Sequence, residues 1–137
     1  MSFFNRYCNI SSLDRGIPNF PGIETHLGLA VLRGRVPTYL RILKKFRDTH
    51  DEARFQRLRV IFRSDDRAEQ RLVAHSMKGT ASTIGATELS EAASALEIAV
   101  KGEVVEQFEP LLNELLSKLK IVVDGLIEID KHLEGSK

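Results

Sequence analysis

The sequence has no tryptophan and a single cysteine, Cys8, so no disulfide framework is available within the chain. One thiol suits a reducing compartment, and the cytoplasm is the expected location. Proline is scarce: of 4 in all, Pro18, Pro21 and Pro37 fall in the first third, which leaves the rest open to helix. No apolar run approaches the roughly 18 residues of a membrane span, so direct membrane insertion is not expected. The opening MSFFNRYCNISSLDRG lacks the continuous apolar stretch of a signal peptide. A net charge of +1 gives no general attraction to nucleic acid or to an acidic surface. Strand-like alternation and hairpin turns are missing as well.

What is there is a soluble-protein composition, 42% hydrophobic and 28% charged, in 137 residues, enough for one domain with a core. Residues 1–21, with Gly16, Pro18 and Pro21, show no sustained period and read as an arm, linker or leader. From Ile23 a short helical segment carries Leu27, Ala30 and Val31, and Gly34 ends it. Pro37 suits the first turn of the next helix, which carries Leu40, Leu43 and Phe46 and later Leu58, Ile61 and Phe62. The polar DTHDEA between them fits a bend or an exposed turn of helix equally well. Ser64-Asp65-Asp66 is an N-cap cluster for a helix from about Asp66 to Ile84, with Gly85 as its stop.

Two more helices follow, Thr87 to Val100 and about Val105 to Leu133. In the last, apolar residues from Phe108 to Leu133 alternate in steps of four and three, the seam of a helix packed lengthwise on its neighbours. The expected fold is all-α: an antiparallel, up-down-up-down four-helix bundle with a short extra N-terminal helix as a lid. The bundle should occupy residues 22–133, with 134–137 as a C-terminal tail.

Within the third segment, AHSMKGTASTIGA sets a histidine, a lysine and a glycine within five residues of helix. A glycine there costs about 1 kcal/mol relative to alanine. Successive helical residues turn by about 100°. Opposite His75, within roughly 40°, lie Val73, Met77, Thr80 and Ile84, the face the bundle should bury. Arg71, Lys78, Gly79 and Ser82 lie within roughly 60° of His75 on its own side. Lys78 and Arg71, each a turn away, suit negative charge attached to the imidazole. Gly79 removes bulk beside the ring, so another protein's backbone can approach. A metal fits poorly, because two cations would repel it and His75 has no histidine or cysteine at ligand spacing on the helix. Taken singly, an exposed histidine is commonly only solvated, and a mid-helix glycine is commonly a helix–helix contact. Their coincidence on one face carries the inference.

These residues resemble the histidine-containing phosphotransfer (HPt) domain. His75-Ser76-Met77-Lys78-Gly79, then Ile84-Gly85-Ala86, Leu89, Ala92 and Leu96-Glu97, follow that family's H-x-L-K-G, L-G-A, L and L-E pattern, with Met77 where leucine is usual. Methionine nearly conserves that volume. The segment GLAVLRGRVPTYLRILKKF is similar to the start of HPt domains at the C-terminal end of hybrid sensor histidine kinases, and the resemblance spans about Gly22 to Leu133.

The resemblance implies a phosphorelay carrier. His75 would accept a phosphoryl group on Nε2 from an aspartate of one receiver domain and pass it to another. Lys78, assisted by Arg71, would neutralise the charge, and Gly79 would admit the receiver's loops. Glu97, which alone reads as a solvated glutamate, would hydrogen-bond the other ring nitrogen and fix the tautomer. Leu72 and Ala68 flank the histidine face as candidates for the apolar part of a transient interface, with Ser82 a further interface candidate on the other side of His75. The expectation is a monomer that is not an enzyme: no glycine-rich nucleotide loop and no acidic Mg²⁺ cluster are present, and Mg²⁺ would come with the receiver. The alternative is a helical interaction module that regulates a partner without carrying phosphate. His26, His50, His132 and Cys8 are assigned no function.

Overall fold

The structure is a computed structural model and describes residues 20–130. The expected arm up to residue 19, Cys8, His132, Leu133 and the tail 134–137 lie outside the described residues. Six α-helices and one 3₁₀ turn make up the described chain, which contains no strand. They are α1 (Thr25–Val31), α2 (Val36–Thr49), α3 (Glu52–Arg63), α4 (Arg67–Ile84), α5 (Thr87–Lys101), the 3₁₀ turn (Val105–Gln107) and α6 (Phe108–Gly125).

Local chemistry sets the starts and stops. Pro37 sits in the first turn of α2, where its missing N–H leaves no bond unmade. Asp66 caps α4 by accepting from the Glu69 backbone N–H at 3.0 Å. Gly85 ends α4 in the left-handed region at φ +87°, where a side chain is strained. A Cβ there would also run into the Glu24 carbonyl at the start of α1.

The segment from Pro37 to Phe62 forms two helices. α2 ends at Thr49 and α3 begins at Glu52, because both ends are capped between them. His50 Nδ1–H donates to the Phe46 carbonyl at 2.8 Å, and Asp51 accepts from the Arg54 N–H at 3.0 Å. Of the two readings open for DTHDEA, the break is correct.

The last helix is also shorter than its apolar seam suggested. It starts as a 3₁₀ turn at Val105, and α6 stops at Gly125, with a turn over 126–128 before helical backbone resumes. Arg47 of α2 takes the carbonyls this releases, donating to Ile127 O at 2.9 Å and Leu126 O at 3.4 Å. The seam residues Leu126 and Ile129 remain fully buried, so the apolar spacing was satisfied without a continuous helix.

α4 packs chiefly on α5 and α5 on α6, while α2 and α3 touch both α4 and α6. Tyr39, Leu43, Leu58, Ile84, Leu89, Leu96 and Leu119 fill the centre. The two-residue connection at Gly85-Ala86 folds α5 back along α4: Ser82 meets Ser90 near the turn, and His75 meets Glu97 farther along. That antiparallel hairpin places the histidine. Its far end is anchored by Gln70, fully buried, whose amide donates to the Ile61 and Ser64 carbonyls at 2.9 Å each. α1 packs on α4 and α2 at the Gly85 end.

Candidate functional site

His75 projects from the middle of α4 with its side chain 63% exposed. Its Nδ1 lies 2.9 Å from Oε2 of Glu97 on α5. Glu97 is no solvated glutamate: its side chain is 5% exposed. Three cationic or basic groups converge on that one carboxylate. Lys78 Nζ stands 3.1 Å from Oε1, and Lys101 Nζ stands 3.5 Å from Oε2, beside the imidazole.

Burial raises the Glu97 carboxyl, but hydrogen bonds from Lys78 and His75 and the Lys101 charge outweigh it and hold it below the ordinary glutamate range. Glu97 is therefore an acceptor only, so the proton of the shared bond belongs to Nδ1 of His75. In the neutral ring this leaves the lone pair on Nε2, the nitrogen on the outer side of the ring, facing away from Glu97.

Gly79 lies one turn beyond His75 on the same face. A Cβ there would meet nothing within 4 Å among the described residues. Helix–helix contact, the commonplace reason for a glycine inside a helix, does not apply. The position is open space beside the ring.

The other predicted residues divide. Arg71 is exposed on the same face, and its side chain makes no ion pair or hydrogen bond with a described residue. Ala68 is exposed, and Leu72 is 64% exposed, unusual for a leucine, so both are available to a partner. Ser82 is exposed too, but its hydroxyl is engaged with α5. Ser90 donates its hydrogen to the Lys78 carbonyl at 3.1 Å, so the 2.7 Å bond between the two serines is donated by Ser82.

The face opposite His75 corrects the helical projection in part. Met77 and Ile84 are buried, but Val73 is half-buried and Thr80 is exposed. Both line a groove of about 440 Å³ between α4 and the α2–α3 pair. The break at His50 leaves the groove there, with Phe46 and Leu58 on its far wall. The His50 ring lies tilted against Phe46 with ring centroids 4.3 Å apart, and burial pushes its imidazole below the usual range against the Phe46 carbonyl bond.

Two members of the site were not foreseen. Ser90 ties α5 to the backbone of Lys78, and nothing in the sequence marks it. Lys101 had a signal: Glu97 to Lys101 is the four-residue spacing, in the favourable order, that pairs charges along a helix. Among the described residues, no three His, Cys, Asp or Glu side chains form a metal-holding group, and no helix is long and apolar enough to cross a membrane.

Comparison with known proteins gives one family. The family model described as Hpt domain matches residues 41–128, from α2 to the turn after α6. No curated protein and no solved structure gives a significant match.

Proposed function

Given that the chain belongs to the Hpt domain family, we propose that His75 receives a phosphoryl group on Nε2 from a receiver-domain aspartate and delivers it to the aspartate of a second receiver. Hpt domains are histidine phosphotransfer intermediates of phosphorelays, have no ATP site of their own and interact with receiver domains. The observation that carries the reading is the bond from His75 Nδ1–H to a buried, ionised Glu97 at 2.9 Å.

The Nε2 lone pair attacks phosphorus, the bond to the aspartyl oxygen breaks, and the aspartate leaves as a carboxylate. The ring, still protonated at Nδ1, takes up positive charge, which Glu97 meets across the hydrogen bond. Delivery is the reverse: the N–P bond breaks, and a neutral imidazole with its proton on Nδ1 leaves. Lys78 sits one turn from His75 and turns its ammonium to the phosphoryl oxygens, with Arg71 adding charge on the outer side. Mg²⁺, held by the receiver, would neutralise the transferring group. Gly79 leaves room for the receiver's loops, and Leu72 and Ala68 supply apolar contact.

In this reading α2 with α3, α4, α5 and α6 form the four members of an up-down-up-down antiparallel bundle, with α1 as the extra helix. Residues 22–133 are the carrier, a monomer in the cytoplasm that is not itself an enzyme, either free-standing or part of a hybrid sensor kinase.

The test is incubation of the chain with a phosphorylated receiver and Mg²⁺. Label that is acid-labile and alkali-stable, and absent from His75→Gln, is expected. Absence of label on the wild type, or its retention by His75→Gln, overturns the proposal.

A further inference from the structure

Glu97 is asked to stay ionised in two different electrostatic settings. At rest its charge is balanced by Lys78 on Oε1 and by His75 and Lys101 on Oε2. A phosphoryl group on Nε2 adds roughly −1.5 to −2 charge within a few ångströms, offset only in part by the positive charge the ring takes up. Like charge that close raises a carboxyl's pKa, and burial already does so at Glu97. The same event draws away the Lys78 ammonium, since one cation shared between two anions serves each less well. If Glu97 took up a proton, it would cease to be a pure acceptor, and the Nδ1–H that fixes the reactive tautomer would lose its partner.

From this geometry we infer that Lys101 is a positioning residue, the reserve counter-ion that keeps Glu97 ionised and bound to His75 Nδ1–H while Lys78 serves the phosphoryl group. The inference rests on the phosphorelay reading of His75. Lys101 lies at the last residue of α5, four residues after Glu97, with its side chain 56% exposed and no other ion-pair partner among the described residues. Its approach to Oε2 does not compete with Lys78, which holds Oε1. Those two lysines and His75 are the only charged or titratable groups within ion-pair distance of Glu97 among the described residues; α6, also packed on α5, sends none. Removing Lys78 alone mimics its withdrawal.

The test follows the Glu97 carboxyl and the His75 ring nitrogens by NMR across pH, in the full chain without phosphate. In Lys78→Gln, Glu97 should still titrate below the ordinary range, and His75 should keep its proton on Nδ1. In Lys78→Gln/Lys101→Gln, the Glu97 midpoint should rise by about one pH unit or more, and both tautomers should appear. Lys78→Gln/Lys101→Arg should restore the first behaviour. Equal midpoints in Lys78→Gln and the double variant overturn the inference.

A transfer assay adds an independent arm. Lys101→Gln should move the acid limb of the rate to higher pH and have no effect in a Glu97→Gln background. An equal effect in that background assigns Lys101 a direct contact with phosphate or partner and overturns the positioning role. If the NMR result holds while the wild type accepts no label, the Lys101–Glu97–His75 coupling stands as a property of the fold, and the phosphorelay reading falls alone.

Discussion

His75 on α4 and Glu97 on α5 are joined by a 2.9 Å hydrogen bond between an exposed imidazole and a buried carboxylate. On the proposed function the exposed ring is what a partner would meet, and the buried acid decides which nitrogen is free to react. The bond also has a pH signature. Glu97 is held below its ordinary value of 4.5, so the folded state binds this proton less readily than the unfolded chain. Its contribution to stability is then complete above the ordinary glutamate range and is lost as pH falls through the lowered folded value. Glu97→Gln should flatten that part of the acid unfolding curve, measured by circular dichroism between about pH 5 and 2. An unchanged curve would mean that the carboxylate is not held ionised by its partners.

Gly79 should behave as a clearance position. Since a Cβ there meets nothing within 4 Å among the described residues, Gly79→Gln should raise helix stability, by about 0.5–1 kcal/mol. Phosphotransfer should slow by roughly ten- to a hundredfold, because the receiver can no longer seat correctly. Thermal unfolding and transfer kinetics on the same preparation check both halves. Normal transfer in a stabilised variant contradicts the clearance role.

Gly85 should behave in the opposite way. It has φ +87° and no room for a Cβ beside the Glu24 carbonyl, so Gly85→Ala should destabilise the fold by about 1–2 kcal/mol or more. The loss is one of fold and not of chemistry. The fraction that remains folded should still accept phosphate at His75, which denaturant unfolding and labelling together report.

The two glycines show how far the sequence could be read. Both stood out in AHSMKGTASTIGA, and helical geometry alone put Gly79 on the His75 face and Gly85 at the helix end. The face itself was legible because a period of 3.6 residues determines which side chains share a side. What lay beyond the period was not. DTHDEA is compatible with helix or break, and the outcome depends on His50 and Asp51 each finding a backbone partner. The seam of the last helix continued past Gly125 because Leu126 and Ile129 are buried whatever the backbone between them does. Thr80 and Val73 were projected inward, but the α2–α3 pair leaves a groove there. Glu97 looked like a surface glutamate because His75 and Lys78 reach it from another helix, and the four-residue spacing to Lys101 on its own helix gained meaning only with that carboxylate buried among them. Apolar spacing locates faces, while polar convergence across helices needs the tertiary fold.

The central claim is that Nε2 of His75 carries the phosphoryl group because Glu97 holds the proton on Nδ1. The most direct measurement is phosphorus–nitrogen coupling in ¹⁵N-histidine-labelled protein after exposure to a phosphorylated receiver and Mg²⁺. The account predicts one coupled nitrogen, Nε2 of His75, with the Nδ1 proton still bonded to Glu97. Coupling to Nδ1, to another histidine, or to no histidine at all would contradict it.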